Sequence, residues 1–332
     1  MPSSSNRREF LVQVGAAAVG AALGSPTLAR ATEPQAERPR PRVVIGRDET
    51  IARGEPSEHA EPIRKLLDAA MQRLTGASDA AAAWRTFFQP ANRVGIKVNT
   101  LGYSTHPVVV DAIVAGLRAA DVPAENILIW DRFDSELVRA RFRLNKSTTG
   151  VRCFGTDADR VGRGYLKEVE TSGRIGSCFS RIVAEEVDTL ICVPILKDHN
   201  LAGVSLGMKN FYGAIHNPNK YHDHNCDPYV ADVVSHRYIA PKWRLTVVDA
   251  VRGQYHAGPG RSPEYFWPFG GLVVGADFVA VDAVAADVLE AKRRDAGLPA
   301  LAEENRPCRH ITTAGARGLG EADLKRIERI EV

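Results

Sequence analysis

Three lysines carry the clearest chemistry in this sequence: Lys97, Lys197 and Lys209, each set in or beside an apolar stretch. An ammonium group is costly to take out of water unless something compensates it. Such lysines either pair with a carboxylate or hold an anionic ligand. Asn99 and Asn210 stand next to two of them as hydrogen-bonding companions. Two carboxylates are expected as partners: Asp249, at the end of an apolar run, and Asp282, embedded in Phe278-Val279-Ala280-Val281-Asp282-Ala283. Each lysine taken singly is as well explained by a plain ion pair as by ligand binding.

Histidines add proton-transfer and metal chemistry. Five of nine fall between positions 199 and 236: His199, His216, His222, His224 and His236. His199, two residues beyond Lys197, is a candidate catalytic group beside Lys197, Lys209, Asp249 and Asp282. Tyr221 to Cys226 places His222, His224 and Cys226 at alternate positions. In extended backbone all three face one side. With His216 they form a candidate ligand set for zinc, iron or copper. His256 sits in Gly253-Gln254-Tyr255-His256-Ala257-Gly258-Pro259-Gly260, whose glycines suggest a tight loop over a pocket. It joins Lys97, Asn99 and Asn210 as an expected ligand-binding residue.

Several common chemistries are disfavoured. Leu201 to Ile215 is rich in glycine, but Gly203 and Gly207 are separated by three residues, where a P-loop needs four, and no Gly-Lys pair follows, so it is not a P-loop. Small residues at that spacing let a helix approach another backbone closely, or leave room for a ligand. The sequence has no H-E-x-x-H and no G-x-G-x-x-G after its first strands. The five cysteines are scattered, with no C-x-x-C pair, which argues against a four-cysteine iron–sulfur cluster. One or two disulfides stay open as an expectation. A formal net charge of +3 implies no basic face for nucleic acid.

The elements that must position these residues alternate along the chain. Val43 to Ile45, Arg93 to Val98, Ile127 to Trp130, Thr189 to Val193, Leu245 to Val248 and Leu272 to Val274 read as strands. Helices are expected near 60–75, 78–88, 107–120 and 277–293, with Ser78-Asp79 capping the second and Pro107 in the first turn of the third. The pattern predicts an α/β fold, a largely parallel sheet with helices on both faces, and an irregular excursion near 132–180. The candidate residues cluster where strands end, which is where open parallel sheets bind ligands.

Residues 1–31 read as a twin-arginine export signal. Arg7-Arg8 precede an uncharged run from Leu11 to Ala29, and Ala29-Arg30-Ala31 supplies a cleavage pattern. Residues 32–42, with three prolines, read as a linker, and 43–332 as one α/β domain. The expectation is an exported protein, recognised by the twin-arginine machinery, in the periplasm or another extracytoplasmic space. Whether the signal is cleaved or kept as an anchor stays open.

Gly95-Ile96-Lys97-Val98-Asn99, Pro194 to His199, Leu206 to Gly213, Asp249 to Gly260 and Gly275 to Asp282 together resemble the bacterial and archaeal domain of unknown function 362 family. The likeness runs over about 90–320 and takes in Gly318-Leu319-Gly320. Members are often exported by the twin-arginine route, and some carry ferredoxin-type cysteine clusters, which this chain lacks. The resemblance therefore implies a loose link to redox chemistry and leaves the reaction open. The first expectation is a metal- or cofactor-dependent, redox-capable enzyme acting on an anionic small molecule, with a redox partner protein. The alternative is a non-catalytic binding protein for a carboxylate or phosphate.

Overall fold

Strands that are apolar on both faces must be covered on both faces, and that requirement organises this chain. The computed structural model describes residues 40–157 and 164–332. The export signal and most of the linker lie outside the described residues. Arg40–Val332 clusters as one compact unit.

In chain order the strands are β1 (Arg42–Arg47), β2 (Val94–Val98), β3 (Ile127–Trp130), β4 (Arg152–Cys153), β5 (Glu170–Ser172), β6 (Ile175–Ser177), β7 (Thr189–Val193), β8 (Ile195–His199), β9 (Gly203–Val204), β10 (Trp243–Gln254), β11 (Phe266–Trp267), β12 (Gly271–Gly275) and β13 (Glu328–Glu331). The helices are α1 (Ala60–Thr75), α2 (Ala80–Arg85), α3 (Pro107–Ala119), α4 (Asp134–Arg139), α5 (Gly207–Asn210), α6 (Tyr229–Val234), α7 (Phe278–Asp295) and α8 (Arg309–Ala316). The main sheet runs β13-β1-β12-β10-β7-β2-β3-β4. Along this path only β12 is antiparallel to its neighbours. The expected α/β architecture with a mostly parallel sheet is the observed one.

Alternate strand residues feed two cores. Val44, Ile96, Ile191, Val247 and Leu272 pack with α1, α2 and α3 on one face. Val43, Leu128, Leu190, Val248 and Val273 pack with α6, α7 and α8 on the other. Asp79 caps α2 by accepting from the Ala82 amide, and Asp277 caps α7 by accepting from Val279 and Ala280. The excursion after β3 is as irregular as expected: α4, the short β4 and the β5–β6 hairpin.

Topology fixes where a site can form. From β2 the chain moves to β3 and β4 on one side, then returns as β7 on the other side of β2 and continues to β10. The order thus reverses between β2 and β7, and the crevice beyond their carboxyl ends is the switch point. Pro194 then breaks β7, and the chain resumes as β8, which pairs with β10 in parallel and folds back on β9. This kink, unforeseen from the sequence, carries Lys197 and His199 to the crevice. No helix among the described residues is long and apolar enough to cross a membrane.

Candidate functional site

A cavity of about 430 Å³ opens at this crevice, lined by Lys97, Lys197, Lys209, His199, His222, Asn99 and Asn210, with Asp131, Arg132 and Glu136. Lys97 lies on β2 with its neighbours Ile96 and Val98 buried in the opposite core, so its side chain enters the cavity side. Asp131 is the first residue after β3, the parallel neighbour of β2. Lys209 and Asn210 come from the single turn of α5, and His222 from the turns after Pro218.

The lysines differ in what holds them. Lys97 Nζ donates to Asp131 Oδ1 at 2.6 Å, to Val98 O at 2.7 Å and to Asn210 Oδ1 at 3.1 Å. Its three hydrogens are spent. Lys197 Nζ, with no exposure at all, is ringed by neutral oxygens: Asn99 Oδ1 at 3.0 Å, Leu101 O at 2.5 Å, Tyr103 O at 2.7 Å and Pro259 O at 3.3 Å. Burial drives its pKa down to about 7, against the pull of Asp131 and Asp198. Lys209 Nζ faces His222 Nε2 at 3.1 Å and the Tyr212 ring at 3.9 Å from its centroid, and burial lowers its pKa to about 8.

The asparagines link the lysines rather than merely flank them. Asn99 Nδ2 donates to Asn210 Oδ1 at 3.3 Å while its own Oδ1 accepts from Lys197. Asn210 Oδ1 accepts from Lys97 as well. One chain of hydrogen bonds therefore ties Lys97 to Lys197 through both amides.

The two histidines hold fixed and opposite tautomers. His199 Nδ1 accepts from the Leu201 and Ala202 amides at 3.1 and 3.2 Å, so its proton sits on Nε2. Burial, with Lys209 and His222 nearby, pushes its pKa down to about 2, so the ring is a neutral donor. His222 Nδ1 lies 3.0 Å from Pro218 O, to which it donates, leaving Nε2 as the lone pair that accepts from Lys209. Burial, then Lys209, lowers its pKa too.

Three expected site residues, Asp249, Asp282 and His256, do not line the cavity. Asp282 pairs with no lysine: its two oxygens accept from the Gly207 and Met208 amides, both at 2.8 Å. These are the first amides of α5, which is why a carboxylate is stable there. Burial still raises its pKa to about 7. Leu206, the residue before these amides, adopts φ 22° and ψ −163°, a strained backbone for a branched residue. Asp249 instead takes the backbone and Nδ1 of His106, at 2.7 and 2.8 Å, at the start of α3. His256 turns to Arg293 at 3.2 Å, and its loop reaches the cavity only through Pro259. Asp198 clamps that loop, accepting from Gly258 N at 2.7 Å and from Arg306 at 2.6 Å.

The expected ligand set of His216, His222, His224 and Cys226 is not assembled. The backbone of His224, Asn225 and Cys226 is left-handed, with φ of 52°, 61° and 62°, so alternate residues do not share a face. His216 and His224 are exposed, and His216 packs edge-on against Tyr165. Cys226 is buried and its thiol points at His222 O. The one His222 nitrogen free for a metal is met by Lys209 instead. Among the described residues no group of three or more His, Cys, Asp or Glu is arranged to hold a metal ion. All five cysteines are free thiols.

Sequence reasoning missed Asp131, Arg132 and Glu136. Asp131 was findable, because it leaves the carboxyl end of a strand read correctly. Its Oδ2 accepts from the Thr100 amide and hydroxyl, both at 2.8 Å. Glu136 reaches Thr100 at 3.3 Å, and burial, then Asp131, raises its pKa. Gly213 allows the pair its room: a Cβ there would lie 2.9 Å from Asp131 Oδ1 and 3.0 Å from Lys97 Nζ.

No curated protein and no solved structure matches the chain. The model of the family described as Domain of unknown function (DUF362) matches residues 92–287, which span β2, the Lys197 and Lys209 segments and Asp282. The chain belongs to the DUF362 family.

Proposed function

We propose that the protein is an enzyme acting on an anionic small molecule in this cavity. Lys209 and His222 exchange the proton, and His199 donates from Nε2 to a substrate oxygen. The observation that supports this reading is the 3.1 Å approach of Lys209 Nζ to the unprotonated His222 Nε2 inside a cavity that His199 also lines. Lining charge favours an anion. Lys97 and Asp131 offset one another, which leaves Lys197, Lys209 and Arg132 against Glu136. A carboxylate or a phosphate fits that balance. A non-catalytic binding protein needs the cations but has no use for a base held against an amine, so the enzymatic reading is favoured. Neither a metal nor a redox partner is required by it.

Sulfate, phosphate and acetate test the reading through thermal unfolding. Each anion that binds the cavity raises the melting temperature of the wild type, and Lys209→Ala loses the rise. A folded wild type indifferent to all three overturns it. We propose also that Arg7-Arg8 direct export by the twin-arginine route. An Arg7→Lys, Arg8→Lys variant should then stay in the cytoplasm, and unchanged export would refute the route.

A further inference from the structure

We propose that Lys209 forms a covalent imine with the carbonyl carbon of an anionic aldehyde or 2-oxo acid. This rests on the reading of the cavity as a site for anionic substrates and narrows it to carbonyl compounds.

Hydrogen-bond capacity separates the three lysines. Lys97 spends its hydrogens on Asp131, Val98 and Asn210. Lys197 is enclosed by four oxygens, three of them backbone carbonyls. Lys209 makes one hydrogen bond, to His222 Nε2, and no carboxylate among the described residues pairs with it. It is also the amine of the three that combines a cavity position with hydrogens left to lose. A nucleophilic lysine must shed a proton first, and desolvation or a neighbouring base is how proteins arrange it. Here both are present, since Lys209 is only 8% exposed and the nitrogen facing it is a lone pair. The Tyr212 ring face beside Nζ favours a cation, and so suits the iminium as well as the ammonium.

The step balances without an oxidant or reductant. Lys209 passes a proton to His222 Nε2, and the freed lone pair forms the C–N bond. The carbonyl π pair moves to oxygen, where the His199 Nε2–H is available to support the developing charge. That oxygen takes the proton back from His222, nitrogen passes a second proton through His222 Nε2 to the same oxygen, and the oxygen leaves as water, so that the lysine ammonium and the carbonyl become iminium and water. Amine plus carbonyl yields imine plus water.

Full-length protein incubated with pyruvate or glycolaldehyde phosphate and sodium cyanoborohydride, with acetone as the neutral control, tests this by intact mass and peptide mapping. Expected is one reduced adduct per chain, mapped to Lys209, suppressed by excess sulfate, weak with acetone and lost in Lys209→Arg. Adducts spread over surface lysines, or no adduct at all, overturn the proposal. Mapping the adduct on the wild type makes the result independent of whether the variant folds. Sulfate stabilisation measured alongside separates the two readings. If sulfate stabilises through Lys209 while no adduct forms, the imine falls and the anion site stands. If neither is seen, both fall.

Discussion

Lys97 Nζ lies 2.6 Å from Asp131 Oδ1 at the carboxyl ends of two adjacent parallel strands, with the side chains 1% and 9% exposed. Neither charge is tolerable there alone. The pair is therefore a structural unit on which the cavity wall depends, with Thr100 and Asn210 satisfying its remaining groups.

Removing one partner should cost far more than removing both. Asp131→Ala leaves an uncompensated buried ammonium and is expected to lose about 3–5 kcal/mol, whereas Lys97→Met with Asp131→Leu should recover much of that. Urea unfolding of the two singles and the double measures the coupling. Additive losses would show that the pair is not a unit.

Lys197 predicts a pH dependence of definite sign. Its folded pKa, about 7, lies below its ordinary 10.5, so between those values the unfolded chain binds more protons. The stability it contributes is full above the ordinary lysine range and is lost as pH falls through about 7. The stability of wild type minus that of Lys197→Met should therefore rise from neutral to alkaline pH. A flat or falling difference, followed by chemical denaturation, would contradict a buried ammonium bonded only to neutral oxygens. Lys197→Met also strands the oxygens that Lys197 satisfied, and should cost roughly 1–3 kcal/mol by that mechanism.

Asp282 should act on the site without touching a ligand. Asp282→Asn exchanges one acceptor for a donor aimed at an amide of α5, at a cost of roughly 1–3 kcal/mol. Because α5 carries Lys209 and Asn210, sulfate affinity should fall in the folded variant, as isothermal titration would record. Unaltered affinity would mean that α5 is held by its packing alone.

These cases mark what was legible in the sequence. Strands buried on both faces announce themselves through apolar runs, so β2, β3, β7, β10 and β12 were readable, as were α1, α3 and α7. The three lysines were readable because a charge in an apolar run demands an explanation. Their partners were not, because Asp282 answers to backbone amides and Asp249 to His106, and neither leaves a periodic trace. The ligand pattern of His222, His224 and Cys226 presumed an extended chain. Three consecutive left-handed residues cancelled it, and nothing at Asn225 but its tolerance of that conformation hinted at this. Asp131 was overlooked for a different reason: it follows a recognised strand, but no motif surrounds it.

Sulfate binding gives the most direct test of which lysine faces the ligand, since sulfate does not titrate in the relevant range. Lys209 has a pKa of about 8 and Lys197 about 7, so both lose charge across mildly alkaline pH. Wild-type affinity should decline as pH rises through 7 and again through 8. In Lys209→Arg the guanidinium keeps its charge, and the upper decline should vanish while the lower one stays. His222→Gln keeps an acceptor for Lys209 but offers no basic nitrogen. It should preserve sulfate binding and slow any reaction that needs a proton moved off Lys209. A His222→Gln protein that loses sulfate affinity in proportion to its activity would assign the histidine to holding the pocket's shape, not to proton transfer.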